Sequence, residues 1–293
     1  MQIFKFGGAS VKDAAGVRNV AKILETVGYA HTLIVISAMG KTTNALERVV
    51  EFYFNKSDYQ QEIAKIKEGH IQIAKGLFDE NHHVFSEIKL FFDDIESFLR
   101  RNKSPNYNFV YDQVVTCGEM ISSKILSVYL SDNEMGNQWL DARDFIKTDT
   151  NYREGLVNWE ETEKNISQLD KAKTYVTQGF IGSDENNFTV SLGREGSDYS
   201  AAIFAYCLDA KDMTIWKDVP GVMTGDPRKF ENVELLSNIS YEEAIEMAYY
   251  GASVIHPKTL QPLKQKSIPF FVKSFINPEK AGTKIGISTE NQL

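Results

Sequence analysis

Short apolar runs of strand length alternate with helical patterns over most of this chain, and that alternation restricts the folds open to it. Residues 2–6 and 33–36 are apolar runs, and between them apolar side chains recur at helical spacing from Val17 to Val27. A strand, a helix and a second strand in this order form a βαβ unit, whose strands are parallel. The sequence therefore predicts an α/β fold around a mainly parallel sheet.

The alternation resumes in the second half of the chain, so the same sheet is expected to continue there. Ser240 and Glu243 match a capping box, which predicts that a helix starts at Tyr241 and that Gly251 closes it. Periodicity predicts the remaining elements, which are helices at 120–130 and 200–208 and strands at 139–142, 174–177, 188–192, 213–216 and 270–272.

Residues 45–102 interrupt this alternation. Three segments, at 47–54, 58–79 and 83–101, are long, charged and helical in period. A loop is predicted at 100–108, which contains a proline. The region is therefore predicted to be a mostly helical insertion into the α/β fold.

The composition argues against several classes of protein. The 293 residues carry a formal net charge of −8, whereas a nucleic-acid-binding protein presents a basic face. No apolar run approaches the roughly 20 residues that span a bilayer, and the N-terminus lacks the order of a signal peptide. Cys117 and Cys207 lie far apart and form no metal-type pair, so a reduced cytoplasmic protein is expected.

Four polar or glycine-rich stretches follow predicted strands, where open α/β sheets bind their ligands. In the first, Lys5 precedes Gly7, Gly8 and the start of a helix. Glycines let the backbone approach a phosphate, a helix N-terminus offers free N–H groups, and the lysine adds a mobile charge. The stretch is a candidate phosphate site, although the same pattern occurs in ordinary glycine turns with a solvated lysine.

The second stretch, residues 37–44, contains G-K-T at 40–42 and so resembles the end of a P-loop. A P-loop needs a glycine where Val35 stands, and this class of site is therefore rejected. Ser37 and Thr43 could still hydrogen-bond to a small ligand, and Thr43 could equally cap the next helix.

The third and fourth stretches carry cations. In residues 193–198, Arg194 could grip a carboxylate through two hydrogen bonds, and Asp198 could hold Lys5 in place. Residues 216–228 form a long turn whose lysine and arginine could face phosphates. The structural alternatives are a glycine hinge with a surface arginine and a rigid surface loop, and sequence alone leaves both open.

The sequence lacks the common zinc and hydrolase motifs. The five histidines show no metal-ligand spacing, and neither H-E-x-x-H nor G-x-S-x-G occurs. Glu119, in T-C-G-E at 116–119, opens a predicted helix, where a carboxylate is stabilised whatever its function.

Seven motifs occur in an order that is more specific than any one of them. They are K-F-G-G-A-S at 5–10, S-A-x5-N at 37–44, T-C-G-E at 116–119, T-Q-G-F-I-G at 177–182, G-R-E-G-S-D-Y-S-A at 193–201, W-K-D-V-P-G-V-M-T-G-D-P-R at 216–228 and G-A-S-V-I-H-P-K-T-L at 251–260. Together they resemble the aspartate kinases of the amino acid kinase family. The resemblance runs from Met1 to about Ile285, nearly the whole chain.

The resemblance implies a three-layer α/β/α sandwich around a mainly parallel central sheet, which is the amino acid kinase fold, with a helical insertion. It implies one catalytic domain over residues 1–293, with an amino-acid-binding lobe at 1–200 that includes the insertion at 45–102, and a nucleotide-binding lobe at 201–293. Many aspartate kinases continue into paired regulatory ACT domains, and none is expected within this sequence.

The resemblance also implies a reaction, in which the γ-phosphate of ATP passes to the β-carboxylate of L-aspartate. The product, 4-phospho-L-aspartate, is the first intermediate toward lysine, threonine and methionine. ATP and Mg²⁺ are the expected cofactors, with the metal on ATP oxygens and no ligand from the protein alone. L-Aspartate and ATP are the expected partners, without nucleic acid or membrane, and a homodimer is the candidate assembly.

Two alternatives stay open. The chain could be another kinase of the same family, acting on acetylglutamate or glutamate, or a non-catalytic amino-acid-binding regulatory subunit. Glu119 and the helical insertion argue against the first, and retention of Lys5, Glu119, Arg194 and Asp198 argues against the second.

The resemblance assigns roles to particular residues. Lys5 contacts the transferring phosphoryl group, and Asp198 orients the cation at the reaction centre. Glu119 meets the substrate ammonium, and Arg194 meets a substrate carboxylate. The remaining expected contacts are Ser37, Thr43 and Ser197 near the amino acid, and Phe6, Gly7, Gly8, Lys217, Asp218, Met223, Arg228 and Ser253 at the nucleotide.

Two positions depart from the family pattern. Ser253 stands where many relatives carry a lysine near the ATP phosphates, a charge that Lys217 or Lys258 could replace. Ala9 stands in place of the commoner threonine of the first motif. The first departure bears on one nucleotide contact, and the second is a mild change.

Overall fold

The computed structural model describes residues 1–225, 229–250 and 255–287. Its strands are β1 (Gln2–Phe6), β2 (Thr32–Ile36), β3 (Gln138–Trp139), β4 (Tyr175–Gln178), β5 (Ile181–Ser183), β6 (Thr189–Ser191), β7 (Asp212–Lys217), β8 (Asn238–Ser240), β9 (Phe270–Ser274) and β10 (Thr283–Gly286). Its helices are α1 (Ala14–Val27), α2 (Thr42–Phe54), α3 (Gln60–Lys75), α4 (Val84–Arg101), α5 (Tyr107–Val115), α6 (Cys117–Asp132), α7 (Ala142–Phe145), α8 (Trp159–Ile166), α9 (Gly196–Cys207), α10 (Tyr241–Tyr249) and α11 (Pro257–Gln265).

The central sheet of the described residues has eight strands in the order β3-β4-β2-β1-β7-β9-β10-β8. Strand β1 lies between β2 and β7 and runs parallel to both, so that Lys5 stands opposite Val35 and Ile215. In this sheet β9 and β10 pair antiparallel, and the other neighbouring strands pair in parallel. The prediction of a mainly parallel α/β sheet is confirmed.

Helices cover both faces of the sheet because side chains of the central strands alternate between two cores. Phe4 and Phe6 of β1 pack with residues of α1 and of α2 to α6 on one face. Ile3 of β1 and Ile215 of β7 pack with residues of α9 and α11 on the other face. Strands buried on both faces are apolar at nearly every position, which explains their continuous apolar runs in the sequence. The predicted three-layer α/β/α sandwich is confirmed.

The insertion is helical, as predicted, and comprises α2 to α5. Its limits differ from the prediction, because α5 starts at Tyr107, within the segment 100–108 that was predicted to be a loop. The side chain of Asn106 accepts a hydrogen bond from the Phe109 N–H at 3.2 Å and so caps α5. The polar residues that suggested a loop therefore include the start signal of a helix.

Two predicted strands are rearranged. Strand β6, within the segment 188–192, pairs antiparallel with β5 in a separate two-stranded sheet. The segment 139–142 turns into α7 because the Asp141 side chain accepts a hydrogen bond from the Arg143 N–H at 3.0 Å. Besides α5 and α7, the elements β5, β8, β10, α8 and α11 were not predicted.

The capping box at Ser240 is confirmed, since its hydroxyl accepts from the Glu243 N–H and the Glu243 carboxylate accepts from the Ser240 N–H. The predicted end of this helix at Gly251 lies outside the described residues. Among the helices that the structure describes, none combines the length and apolar character needed to cross a bilayer. The division into two lobes near residue 200 stays a prediction.

Candidate active site

A cleft of about 720 Å³ opens where the parallel strands β1 and β2 end. This edge is the position at which open α/β sheets bind ligands. The predicted site residues that line it are Lys5, Gly8, Ser37, Thr43, Glu119, Arg194 and Ser197. The sheet therefore brings together residues that are far apart in the sequence.

A buried charge cluster lies at the floor of the cleft. The Lys5 Nζ is 2.6 Å from Oδ1 of Asp198, and the Lys217 Nζ is 3.7 Å from its Oδ2. Burial acts to raise the pKa of Asp198, but the two lysines lower it by more, so the pKa lies below its usual value. One carboxylate thus holds two ammonium groups close together.

Glu119 is a carboxylate in the cleft wall, and it forms no ion pair with a cation of the described residues. It is 3% exposed, and its Oε1 accepts a hydrogen bond from the Ala38 N–H at 3.2 Å. Among the described residues, no donor reaches its buried Oε2. Burial raises the pKa of Glu119 to about 8, against the opposing effects of the Ala38 N–H and the Lys5 charge. A buried acceptor that lacks a partner and faces a cleft fits a donor or cation supplied by a ligand.

The raised pKa of Glu119 predicts that the ligand-free protein loses stability as pH rises. Between the ordinary pKa of 4.5 and about 8, the folded protein binds more protons at Glu119 than the unfolded chain does. The free energy of unfolding therefore falls as pH rises through that window and levels off above it. A pKa difference of one corresponds to about 1.4 kcal/mol, so we expect a fall on the order of a few kcal/mol. Urea unfolding of the wild type and Glu119→Gln, which cannot titrate, measures this fall.

Glu243→Gln is the control for this experiment. Contacts with Ser240 lower the pKa of Glu243, so its stabilising effect is present above its ordinary pKa and disappears only as pH falls. The control should keep the loss of stability between about pH 5 and pH 8, and Glu119→Gln should not. Equal slopes for the wild type and Glu119→Gln would contradict the raised pKa.

Two glycines allow the loops around the cleft to approach each other. A Cβ on Gly8 would lie 2.5 Å from the Ala38 carbonyl oxygen, and a Cβ on Gly179 would lie 2.5 Å from the Ser197 Cβ. No larger residue fits at either position without a backbone shift. Gly8 therefore has a packing role beside the phosphate contact that the sequence predicts.

Arg194 lies on the turn that joins β6 to α9. Gly193 and Glu195 both have positive φ angles, of 78° and 54°, and the Gly196 N–H donates to the Gly193 carbonyl at 3.0 Å. This turn leads directly into α9, whose first turn carries Asp198. The exposed Arg194 side chain and the buried Asp198 are thus placed by the same short segment.

The residues predicted at the nucleotide are only partly brought together. Lys217 joins the charge cluster, and Gly7 lies beside it, since an added Cβ would be 3.5 Å from the Lys5 Nζ. Asp218 follows in an exposed turn after β7. The ring of Phe6 is fully buried and stacks on Trp216 with centroids 5.8 Å apart, so that ring belongs to the core and a nucleotide contact is left to its backbone.

The other residues predicted at the nucleotide lie outside the described ranges or close to the ends of those ranges in sequence. Met223 lies in a loop and pairs with Leu235 through an isolated bridge. Arg228 and Ser253 lie outside the described residues. Lys258 donates from its Nζ to the Leu192 carbonyl at 3.0 Å and so holds the segment before the Arg194 turn. Its replacement of a lysine at position 253 stays a prediction.

The outer wall of the cleft was not predicted from the sequence. It comprises Asn108, Tyr111, Asn151, Tyr152, Arg153 and Glu154. These residues come from α5 and from the irregular segment 149–155, which carries neither a strand pattern nor a glycine-rich phosphate motif. No local signal marks them, because contact between distant segments leaves no periodic trace in a sequence.

Within the described residues, no group of three or more His, Cys, Asp or Glu side chains is placed to hold a metal ion. Asp198, the carboxylate at the cleft floor, directs both oxygens at lysines. The floor therefore fits an anionic group that brings its own metal better than a protein-bound metal. The Mg²⁺ expected on ATP stays a prediction.

Comparison with known proteins gives consistent results. The model of the amino acid kinase family matches residues 1–274. The chain is 32% identical over 300 residues to lysine-sensitive aspartokinase 3 of Escherichia coli, covering 99% of the chain and 65% of that protein. It is also 32% identical over 297 residues to a chloroplastic bifunctional aspartokinase/homoserine dehydrogenase 2 of Arabidopsis thaliana, covering 97% of the chain and 32% of that protein. The chain thus spans about a third of the length of several curated relatives.

Solved structures agree with this result. Aspartokinase III of Escherichia coli in complex with aspartate and ADP has a TM-score of 0.89 at 31% identity, covering 99% of this chain and 65% of that one. A UMP kinase from Bacillus anthracis has a TM-score of 0.53 at 14% identity, covering 97% and 95%, and shares the fold alone.

Proposed function

Because this chain belongs to the amino acid kinase family, we propose that it is an aspartate kinase. It transfers the γ-phosphate of ATP to the β-carboxylate of L-aspartate, and the products are 4-phospho-L-aspartate and ADP. The observation that carries the proposal is the buried Glu119 Oε2, which has no donor among the described residues and lines the same cleft as Lys5 and Arg194. The likeness to an aspartokinase that was solved with aspartate and ADP supports it.

Aspartate offers groups that match this arrangement of charges. Its α-ammonium pairs with Glu119 and supplies the donor that the Oε2 of Glu119 lacks. Its α-carboxylate pairs with Arg194, whose guanidinium can form two parallel hydrogen bonds. Ser37, Thr43 and Ser197 supply further polar groups along the cleft. With the α-groups held in this way, the β-carboxylate is left to face Lys5.

The chemical step needs no general base, because a side-chain carboxylate is already ionised at pH 7. A β-carboxylate oxygen forms the new bond to the γ-phosphorus as the bond from that phosphorus to the bridging oxygen of ADP breaks. Such transfers depend on alignment and on neutralising the charge of the phosphoryl oxygens. Lys5, fixed by Asp198 at 2.6 Å, and the nearby Lys217 supply positive charge at that point. Mg²⁺, when bound on the nucleotide oxygens, adds further neutralisation.

The direct test is an ADP-release assay with L-aspartate, L-glutamate, N-acetyl-L-glutamate and N-acetyl-L-aspartate. We expect turnover with L-aspartate, and we expect hydroxylamine added to the reaction to trap the acyl phosphate as a hydroxamate. ADP release without hydroxamate would show that the acceptor is not a carboxylate. Turnover restricted to an N-acetylated substrate would favour a different kinase of the family, and binding without ADP release would favour a regulatory subunit.

A further inference from the structure

A fully buried aspartate outside the predicted site connects the segments of the outer wall. Asp112 lies in α5 and is 0% exposed. Its Oδ1 accepts from the Ser191 hydroxyl at 2.6 Å, and its Oδ2 accepts from the Ser191 N–H at 2.9 Å and the Arg153 N–H at 2.8 Å. One carboxylate thus joins the helical insertion to two segments that are distant in sequence.

Both of these segments carry an arginine at the cleft. Ser191 ends β6, and the Arg194 turn follows within a few residues. The Gly155 N–H donates to the Ser191 carbonyl at 2.9 Å, which ties the segment of Arg153 to the same strand end. A displacement of Asp112 would therefore change the positions of both Arg153 and the turn that carries Arg194.

The backbone at Arg153 needs this support. Its φ is 75°, a left-handed value that costs a residue other than glycine on the order of 1 kcal/mol and persists only where neighbours hold it. Its guanidinium lies over the Tyr111 ring, 4.2 Å from the centroid, and the Tyr111 hydroxyl donates to Glu47 at 2.7 Å. Both the backbone and the side chain of Arg153 are thus held in place while the guanidinium remains exposed at the cleft.

We propose that Asp112 is a positioning residue for substrate recognition: it fixes Arg153 in the cleft that Arg194 also lines, and the two guanidinium groups share the α-carboxylate of the amino acid. The inference rests on the proposed function in one respect, since it takes the ligand of this cleft to be an acidic amino acid. Arg194 alone can receive one carboxylate. Arg153 adds a second cation for that carboxylate from the outer wall of the same cleft.

The role of Asp112 is one of shape more than of charge. Burial raises the pKa of the Asp112 carboxyl, against the opposing hydrogen bonds from Ser191 and Arg153. An asparagine can offer its carbonyl oxygen to the two backbone N–H groups and its amide to the Ser191 hydroxyl, which can accept. Asp112→Asn should therefore keep the arrangement, whereas Asp112→Ala removes all three hydrogen bonds.

The experiment compares these two variants with the wild type in steady-state kinetics and in amide hydrogen exchange. We expect Asp112→Ala to raise the KM for L-aspartate by about tenfold or more, with a much smaller effect on kcat and on the KM for ATP. The Arg153 and Ser191 amides should exchange faster in this variant. Asp112→Asn should stay close to the wild type in both measurements.

Asp212→Ala is the matched control. Asp212 is also buried and accepts from the Gln2 side chain at 3.1 and 3.2 Å, but it starts β7, at the opposite end of the strand from Lys217. An equal rise in KM in this control, or in Asp112→Asn, would overturn the positioning role. Faster exchange in Asp112→Ala with an unchanged KM would also overturn it.

Arg153→Gln keeps the test decisive if Asp112→Ala does not fold, because the Arg153 side chain is exposed. We expect a higher KM for L-aspartate, and an unchanged KM would show that Arg153 does not contact the substrate and would overturn the proposal. Failure of the proposed function is a separate result. If the wild type uses another acidic amino acid of the panel, the proposed function is wrong, and the same comparison with that amino acid decides the role of Asp112.

Discussion

Replacing Lys5 by methionine is expected to lower kcat by about 10²–10³, the usual cost of losing one preorganised charge partner in the transition state. Lys5 lies near the end of β1 and is only 7% exposed, so its ammonium group is largely shielded from solvent. Asp198 holds it at 2.6 Å, so no reorganisation is needed when charge moves during phosphoryl transfer. The KM values for aspartate and ATP should change far less than kcat.

The variant also leaves Asp198 in a buried site with one lysine instead of two. Breaking a buried ion pair by removing one partner typically costs about 3–5 kcal/mol, and Lys217 at 3.7 Å should reduce that cost. The double variant Lys5→Met/Asp198→Asn removes the buried carboxylate that has lost its nearer partner. It should recover stability in urea unfolding without recovering turnover, which separates the catalytic role from the structural one.

Lys284→Met is the control, since Lys284 is an exposed strand lysine in β10 away from the cleft. It should keep the kcat of the wild type. Near-normal turnover in Lys5→Met, or recovery of turnover in the double variant, would remove Lys5 from the reaction.

Glu119→Gln is expected to raise the KM for L-aspartate by about 10- to 100-fold, since a hydrogen bond to a charged group contributes about 1.5–3 kcal/mol. The glutamine keeps the shape of the side chain and the contact with the Ala38 N–H, but it cannot balance an ammonium. The KM for ATP should change little. Because the buried carboxylate is costly to ionise, the variant should be at least as stable as the wild type near pH 8.

Pairing of Glu119 with an ammonium also predicts which amino acids the wild type does not phosphorylate. N-acetyl-L-aspartate has no ammonium, so its binding would leave the Glu119 carboxylate buried without a partner, and we expect no measurable turnover. Steady-state kinetics with each substrate varied in turn measures both effects.

Glu62→Gln serves as the control for Glu119→Gln, because Glu62 is a buried glutamate of the insertion that pairs with Arg48 away from the cleft. It should leave the KM for aspartate unchanged. An unchanged KM in Glu119→Gln, or efficient use of N-acetyl-L-aspartate by the wild type, would remove Glu119 from substrate recognition.

The sequence by itself determined the layer architecture and the position of the cleft. Hydrophobic periodicity identifies β1, β2 and β7 as buried parallel strands, and the carboxyl ends of such strands meet at one edge of the sheet. Lys5 and Ser37 therefore had to lie near each other. Some residues owe their roles only to their place after a strand or at the start of a helix. Local sequence patterns were enough to predict these residues.

The tertiary structure decided the contacts between distant segments. Asp112 and Ser191 are separated by 79 positions, and their hydrogen bonds depend on how α5 packs against β6, which no local pattern encodes. For the same reason Arg153, in a segment without periodicity, was missed. Local patterns report the backbone conformation and the buried face of each element, whereas partners across a cleft are chosen by packing, where burial makes each unsatisfied polar group costly.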